Sequence, residues 1–387
     1  MRVLLHTGKG GVGKTSLAVA TAIGAAEHGH RVFLLSTDSA HSVGDALGRR
    51  VGPEAVEVAP GVVAQEVAAL SELDRSWAAI QAFFRQLLRE DADEMVAEEL
   101  LVFPGLEEIV ALRAVKAVEA TGEYDVCVVD CAPTGSTLRL LRLPDVLRFF
   151  MDNVFEWKRR AARAIRPMAN RVGVGNFIAP DEVFAAFEVL YRDIEDVGQI
   201  LLDVDRTSAR LVVNPARVVV AETRRSFAYL SLYGVATDAV LINRVLPPAA
   251  STGYFARWAA LEQRELLEID QSFPVPRFRV PLHSVEPIGV DALREIAHET
   301  FGDRDPAALH SRSRPIRLTR RDGRLLLEID LHHAEPGEVD VSTNGGDLVV
   351  RVRDFQRRIS LPDSVVGCRM AGVSIEKGVL AVSFDSL

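Results

Sequence analysis

Residues 8–15 carry the residue types that bind the phosphates of a nucleoside triphosphate. Their sequence, GKGGVGKT, matches the phosphate-loop pattern G-x-x-x-x-G-K-[ST] in full. Glycines let backbone N–H groups turn towards an anion, the Lys14 ammonium reaches the β- and γ-phosphates, and the Thr15 hydroxyl binds Mg²⁺. We therefore predict a phosphate-binding site formed by Gly8, Lys9, Gly10, Gly11, Val12, Gly13, Lys14, Thr15 and Ser16.

Two aspartates each follow an apolar run that is predicted to be a buried strand. Asp38 comes shortly after residues 32–35 (VFLL), and Asp130 comes directly after residues 124–129 (YDVCVV). A hydrophobic strand that ends in aspartate is typical of a carboxylate that holds a Mg²⁺-bound water, which we predict for Asp130. Asp38 can orient an attacking water or cap the following helix, and the spacing alone leaves both roles open.

The elements predicted around these residues alternate between strands and helices. A strand at 2–6 and an alanine-rich helix at 16–28 flank the glycine-rich loop, so the positive end of the helix faces the bound anion. This alternation predicts an α/β fold with a doubly wound, mostly parallel sheet of the P-loop NTPase type. Further strands are predicted at 211–214, 240–243 and 275–280, and a helix is predicted at 291–301. Residues 49–122 are predicted to be mostly helical, with an amphipathic face at 80–88. Helical insertions are predicted at about 75–120 and 145–205.

Three motifs together resemble the ATPases of the arsenical-pump and tail-anchored-protein-targeting (ArsA/Get-type) family. KGGVGKT at 9–15, STDSAHS at 36–42 and DCAPTGSTLR at 130–139 occur in the order and spacing of that family. The resemblance covers about residues 1–300. It implies a homodimeric ATPase that uses ATP and Mg²⁺, with the nucleotides bound at the dimer interface.

The resemblance also implies roles for individual residues. Lys9 matches a lysine that points across the dimer interface to the nucleotide of the partner, where it assists Lys14; a solvated surface lysine is the alternative. Asp38 matches the water-activating aspartate of the first switch, and Asp130 matches the magnesium-side aspartate of the second. Residues matched to the adenine site are Asn243, whose amide offers both a donor and an acceptor, Pro281 and Leu282.

Some positions depart from the pattern of the family. Ser39 and Ser136 replace a common proline and a common histidine in the two switches, and Ala216 replaces a glutamate that contacts nucleotide. The C-x-x-C motif of the targeting factors is absent, so we expect no zinc and a dimer held by other surfaces. The three cysteines are too widely spaced to predict an arsenite site of three thiolates.

The predicted helical region at 145–205 is rich in apolar residues. In the resembling family this region binds hydrophobic client segments, which fits a helix-in-groove mode of recognition. A role as subdomain core is the alternative, and we favour it for the helical face from Phe184 to Leu201. For Phe149–Trp157 and Phe177–Ile178 both interpretations stay open, and the basic run at 158–160 is interpreted as a solvated face, with anionic lipid as the alternative contact.

The composition changes after residue 301. Residues 302–314 are predicted to form a polar linker, and residues 315–387 alternate strand patterns with turn signals such as Asp322-Gly323 and Lys377-Gly378. This pattern predicts a small β-sandwich. The strand end Leu361-Pro362 and the run from Ala371 to Leu380 resemble the α-crystallin domain of small heat-shock proteins.

Composition and charge exclude several classes of function. The 387 residues carry a net charge of −9, which does not indicate nucleic-acid binding, and contain no apolar run long enough to span a membrane. Because Met1 leads directly into a strand, we predict no signal peptide and a cytoplasmic location. The function that we predict is ATP hydrolysis that drives binding and release of hydrophobic protein segments, in targeting or as a chaperone; the alternatives are an arsenite-pump subunit and a holding chaperone in which ATP is mainly structural.

Overall fold

A computed structural model gives the fold of the chain. The residues that it describes are 1–38, 42–67, 106–132, 181–321, 324–344, 347–361, 365 and 368–385. The second switch from residue 133 onwards, the apolar segments Phe149–Trp157 and Phe177–Ile178, the basic run at 158–160, the face at 80–88, Ser39 and Pro362 lie outside this set.

An eight-stranded sheet forms the centre of the N-terminal part. Its order is β3-β4-β2-β5-β1-β6-β7-β8, and every neighbouring pair is parallel except β3 and β4. The predicted α/β fold with a mostly parallel sheet is therefore confirmed. The strands are β1 (Arg2–Thr7), β2 (Val32–Ser36), β3 (Val56–Ala59), β4 (Val62–Glu66), β5 (Val126–Asp130), β6 (Thr207–Val213), β7 (Thr237–Val245) and β8 (Arg277–Pro281).

Helices cover both faces of this sheet, which explains why the central strands are buried along nearly their whole length. Apolar residues of α1 and α7 pack on one face of the sheet. Those of α3, α4, α5 and α6 pack on the opposite face. The helices are α1 (Lys14–Glu27), α2 (Ser42–Leu47), α3 (Leu106–Thr121), α4 (Asp181–Leu202), α5 (Arg217–Leu232), α6 (Ala256–Ser272) and α7 (Val290–Phe301). In α4, Leu201 is buried, as its assignment to the core predicts.

The prediction that residues 49–122 are mostly helical is wrong for residues 56–66. This stretch forms the hairpin β3–β4 at the edge of the sheet, and β4 pairs in parallel with β2. Gly61 adopts a φ of 76° in the turn, a conformation that favours glycine. The alternation of buried and half-buried residues along β4 is the period-two pattern of a strand, and it was missed beside the long helical stretch.

The C-terminal part is all β and antiparallel, as predicted. Strands β14-β15-β10-β9 form one sheet, strands β11-β12-β13 form a second, and apolar residues of both sheets belong to one core. The strands are β9 (Ile316–Arg321), β10 (Arg324–Asp330), β11 (Val339–Asn344), β12 (Asp347–Val352), β13 (Phe355–Ser360), β14 (Arg369–Glu376) and β15 (Val379–Asp385).

The β-domain packs directly on helix α5. The ring of Tyr229 lies 4.1 Å from that of Phe355, measured between centroids, and the Arg357 guanidinium donates to the carbonyl of Leu232 at 2.9 Å. The preceding segment is also fixed, because the buried Arg210 side chain donates to the carbonyl of Ala308. The stretch predicted as a polar linker therefore packs against the sheet.

His333 makes this domain contact sensitive to pH. Its Nδ1 accepts a hydrogen bond from Arg224 at 3.2 Å, its Nε2 donates to the carbonyl of Ser272 at 2.8 Å, and burial followed by the Arg224 charge lowers its pKa to about 4. Because this pKa is lower than in the unfolded chain, the neutral ring stabilises the fold above pH of about 6.5, and this stabilisation is lost as the pH falls towards 4.

We therefore expect His333→Asn to make stability less dependent on pH between 7 and 4. Asparagine does not titrate and tolerates the φ of 74° at this position. The measurement is urea unfolding of both proteins at intervals across this range. An equal loss of stability in the two proteins would contradict the role given to His333.

Candidate functional site

The glycine-rich loop connects β1 to α1 with its backbone packed closely against neighbouring strands. A Cβ atom on Gly8 would lie 2.4 Å from the carbonyl oxygen of Val212, and one on Gly13 would lie 2.2 Å from Nδ2 of Asn243. Gly13 is the N-cap of α1, has a φ of 95°, and provides no side-chain cap. The N–H groups of the first turn of α1 are therefore not satisfied by an N-cap side chain and can bind an anion.

A cleft of about 840 Å³ opens beside this loop. Ten of the residues predicted from the sequence line it: Gly10, Gly11, Gly13, Lys14, Thr15, Ser16, Asp38, Asn243, Pro281 and Leu282. The cleft thus combines a lysine, a hydroxyl and a carboxylate with an amide and apolar side chains from two other strand ends. This combination can bind phosphates at one end and a flat apolar group at the other.

Gly8, Lys9, Val12 and Asp130 do not line the cleft. Gly8 and Val12 belong to the loop but do not form part of the cleft wall. Lys9 points away, and its Nζ lies 2.5 Å from Oε2 of Glu222 on helix α5. The Lys9 side chain is 39% exposed and paired within its own chain, so the role across a dimer interface and the alternative of a solvated surface lysine both stay predictions.

Asn243 braces the loop. Its Nδ2 donates to the carbonyl of Val12 at 2.8 Å, and its Oδ1 accepts from the N–H of Arg244 at 2.9 Å. Pro281 ends β8 at the rim of the cleft, and the N–H of Leu282 donates to the carbonyl of Val245. Both the Nδ2 and the Oδ1 of Asn243 thus form hydrogen bonds within the protein. These bonds do not test the predicted contact of Asn243 with adenine, which stays a prediction.

Asp130 lies beneath the cleft and is fully buried. Neither carboxylate oxygen has a hydrogen-bond partner of ordinary geometry among the described residues. Burial raises the pKa of Asp130 to about 7, although the nearby Thr15 hydroxyl and Lys14 ammonium oppose this effect. A buried carboxylate without a partner is costly, and a divalent cation next to it would remove this cost. Thr15 and Asp130 therefore fit the predicted Mg²⁺ site.

A further carboxylate near this position was not predicted. Glu66 ends β4, is 3% exposed, and contributes with Asp38 to the negative charge around Asp130. Its Oε1 accepts a hydrogen bond from the N–H of Gly44 in α2 at 2.9 Å. The pattern that pointed to Asp38 and Asp130, a carboxylate at the carboxyl end of a parallel strand, could also have pointed to Glu66. It did not, because strand β4 was not predicted.

No cysteine lines the cleft, although the buried Cys131 directly follows Asp130. Cys127 lies inside β5, where burial raises the pKa of its thiol to about 12, and Cys368 lies in the β-domain. The described part of the chain contains no cluster of three or more cysteine, histidine or acidic side chains able to hold a metal ion. Nor does any described helix have the length and hydrophobicity to cross a membrane.

Comparison with known proteins gives the relationships of the chain. A family described as "Anion-transporting ATPase" matches residues 1–301, and a domain described as "HSP20-like domain found in ArsA" matches residues 322–384. These are the two resemblances predicted from the sequence, and both are confirmed.

Individual relatives match over most or all of their length. A protein of Prosthecochloris vibrioformis named as an arsenical pump-driving ATPase is 33% identical over 100% of this chain and 96% of its own. A similarly named protein of Aquifex aeolicus is 30% identical over 99% of each chain. The ATPase GET3B of Arabidopsis thaliana is 30% identical over 74% of this chain and 75% of its own.

Proposed function

Because the chain belongs to the anion-transporting ATPase family, we propose that it is a Mg²⁺-dependent ATPase that works as a homodimer. The observation that carries this proposal is that Lys14, Thr15, Asp38 and Asn243 line one cleft and that the carboxylate of Asp130, without a hydrogen-bond partner among the described residues, lies beneath it. A glycine-rich turn with a purely structural role does not need a lysine, a hydroxyl and two carboxylates close together. The proposal extends to ATP as the nucleotide and to a cytoplasmic location.

The proposed mechanism assigns one task to each group. The loop N–H groups and Lys14 bind the phosphates, and Thr15 and Asp130 are the residues that would hold Mg²⁺. When bound, Mg²⁺ neutralises charge that develops on the β- and γ-phosphates. Asp38 accepts a hydrogen bond from the attacking water and aligns it with the γ-phosphate.

Lys9 is proposed to act in the site of the partner subunit. A cation that arrives from a second chain stabilises the charge of the transferring phosphoryl group, as an arginine finger does. In this structure Lys9 is paired with Glu222, so it must leave that carboxylate to reach the partner. The homodimer is then required for rapid hydrolysis.

Mixing two inactive variants tests this arrangement. In a mixed dimer of Lys9→Ala and Asp38→Asn, one site keeps its own Asp38 and receives Lys9 from the partner. We expect recovery of about one quarter of the wild-type turnover, because random mixing makes half the dimers mixed and each has one complete site. The measurement is phosphate release after mixing, with each variant alone as the control. No recovery, despite subunit exchange shown by a labelled chain, would contradict action of Lys9 in trans.

The output of the ATPase cycle is proposed to be capture and release of hydrophobic protein segments. The support is the membership of the family and the kinship to the GET3B protein, together with the apolar composition of residues 145–205. The experiment is capture of bound polypeptides by the Asp38→Asn variant in ATP and in ADP. Apolar segments retained in ATP and released in ADP are the expected result, and identical material in both nucleotides would count against a client role.

A further inference from the structure

Glu66 occupies a position that none of the roles above explains. It stands in register with Ser36 on the neighbouring strand β2, and Ser36 stands in register with Asp130 on β5. Neighbouring parallel strands place such residues on the same face of the sheet. Glu66 and Asp130 therefore lie on one face at the same height, on either side of Ser36.

A short chain of contacts connects Glu66 with the predicted magnesium hydroxyl. The Glu66 carboxylate accepts from the N–H of Gly44, in the first turn of α2, at 2.9 Å. That helix begins at Ser42, whose Oγ lies 2.9 Å from Oγ1 of Thr15. Glu66 thus holds the turn that places a second hydroxyl beside Thr15.

The oxygen groups around this point are those that bind a hard cation. Two hydroxyls meet at hydrogen-bond distance, and the fully buried carboxylate of Asp130 has no hydrogen-bond partner among the described residues. Mg²⁺ in such sites takes only oxygen ligands, from a few protein side chains, the phosphates of the substrate and water. The Ser42 hydroxyl has the same chemistry as that of Thr15 and lines the same cleft.

We propose that Ser42 is a second hydroxyl ligand of the cation and that Glu66 is the residue that positions it. This inference rests on the proposed Mg²⁺-dependent ATPase, since it names further residues of the same site. Outer residues that orient metal ligands contribute strongly to metal affinity. Glu66 also connects the end of β4 to the first turn of α2, so cation binding and the position of that turn are coupled.

The test uses Mn²⁺ as the probe in the presence of ADP, with the full-length protein. Free Mn²⁺ is measured by electron paramagnetic resonance, and ADP affinity is measured separately in EDTA. We expect Ser42→Ala and Glu66→Gln each to weaken Mn²⁺ binding by about 10-fold while ADP affinity in EDTA stays unchanged. Ser42→Thr, which restores a hydroxyl, is expected to recover most of the affinity.

Glu57→Gln is the matched control, because Glu57 lies on the adjacent strand β3 and is exposed. It should bind Mn²⁺ like the wild type. Thermal unfolding without metal reports any loss of fold in Glu66→Gln, and in that case the pair Ser42→Ala and Ser42→Thr still decides whether the Ser42 hydroxyl is a ligand.

The outcomes separate the inference from the function on which it rests. If the wild type binds no Mn²⁺ with ADP or ATP, the proposed function fails. If the wild type binds Mn²⁺ and Ser42→Ala binds it equally well, the ligand role of Ser42 is overturned. A folded Glu66→Gln protein with wild-type Mn²⁺ affinity overturns the positioning role.

Discussion

Replacement of Asp38 by asparagine is expected to reduce ATP turnover by about 100-fold or more while ATP binding is retained. Asp38 lines the cleft together with Lys14 and Thr15. Asparagine has nearly the same shape, but it lacks the charge that orients a water and draws its proton. The phosphate-binding groups are unchanged, so the loss falls on the chemical step and not on affinity.

The measurement is single-turnover phosphate release together with equilibrium binding of a fluorescent ATP analogue. Asp45→Asn is the matched control, because Asp45 also lines the cleft and lies on α2, four residues beyond the loop that follows Asp38. It should leave turnover close to wild type. Undiminished hydrolysis by Asp38→Asn would remove Asp38 from the mechanism and leave it a helix-capping role.

Replacement of Gly13 by alanine is expected to abolish ATP binding and to destabilise the fold. The added Cβ would lie 2.2 Å from Nδ2 of Asn243, so Asn243 must move and give up its hydrogen bond to Val12. The φ of 95° adds backbone strain of about 1–3 kcal/mol. Both effects act on the loop that presents its N–H groups to the phosphates.

Gly10→Ala is the control for stability, since a Cβ at Gly10 meets no atom within 4 Å and Gly10 has no positive φ. We expect its unfolding temperature to equal that of the wild type, while that of Gly13→Ala falls by several degrees. The measurements are thermal unfolding and isothermal titration with ATP. A Gly13→Ala protein with wild-type stability and affinity would show that the close approach of Asn243 is not needed.

Much of the site could be predicted from the sequence because its residues are local in the chain. The loop at 8–15 carries its own glycines, lysine and hydroxyl, and its position between a strand and a helix fixes what those groups face. Asp38 was predicted because it follows an apolar strand, and the resemblance to the ATPase family implied Asn243 and Pro281, which also stand near the ends of strands. Parallel strands end at one edge of a sheet, so residues far apart in sequence are brought to the same cleft.

The sequence thus determined the fold class and the phosphate-binding loop, and it named ten of the residues that line the cleft. Only the tertiary structure decided the partners of those residues. Glu66 was missed because its short strand stands in the sequence beside a longer helical pattern, and the Lys9–Glu222 pair joins residues 213 positions apart. Docking of the β-domain on α5 likewise depends on the tertiary structure, since local hydrophobic periodicity shows which face of an element is buried but not what covers it.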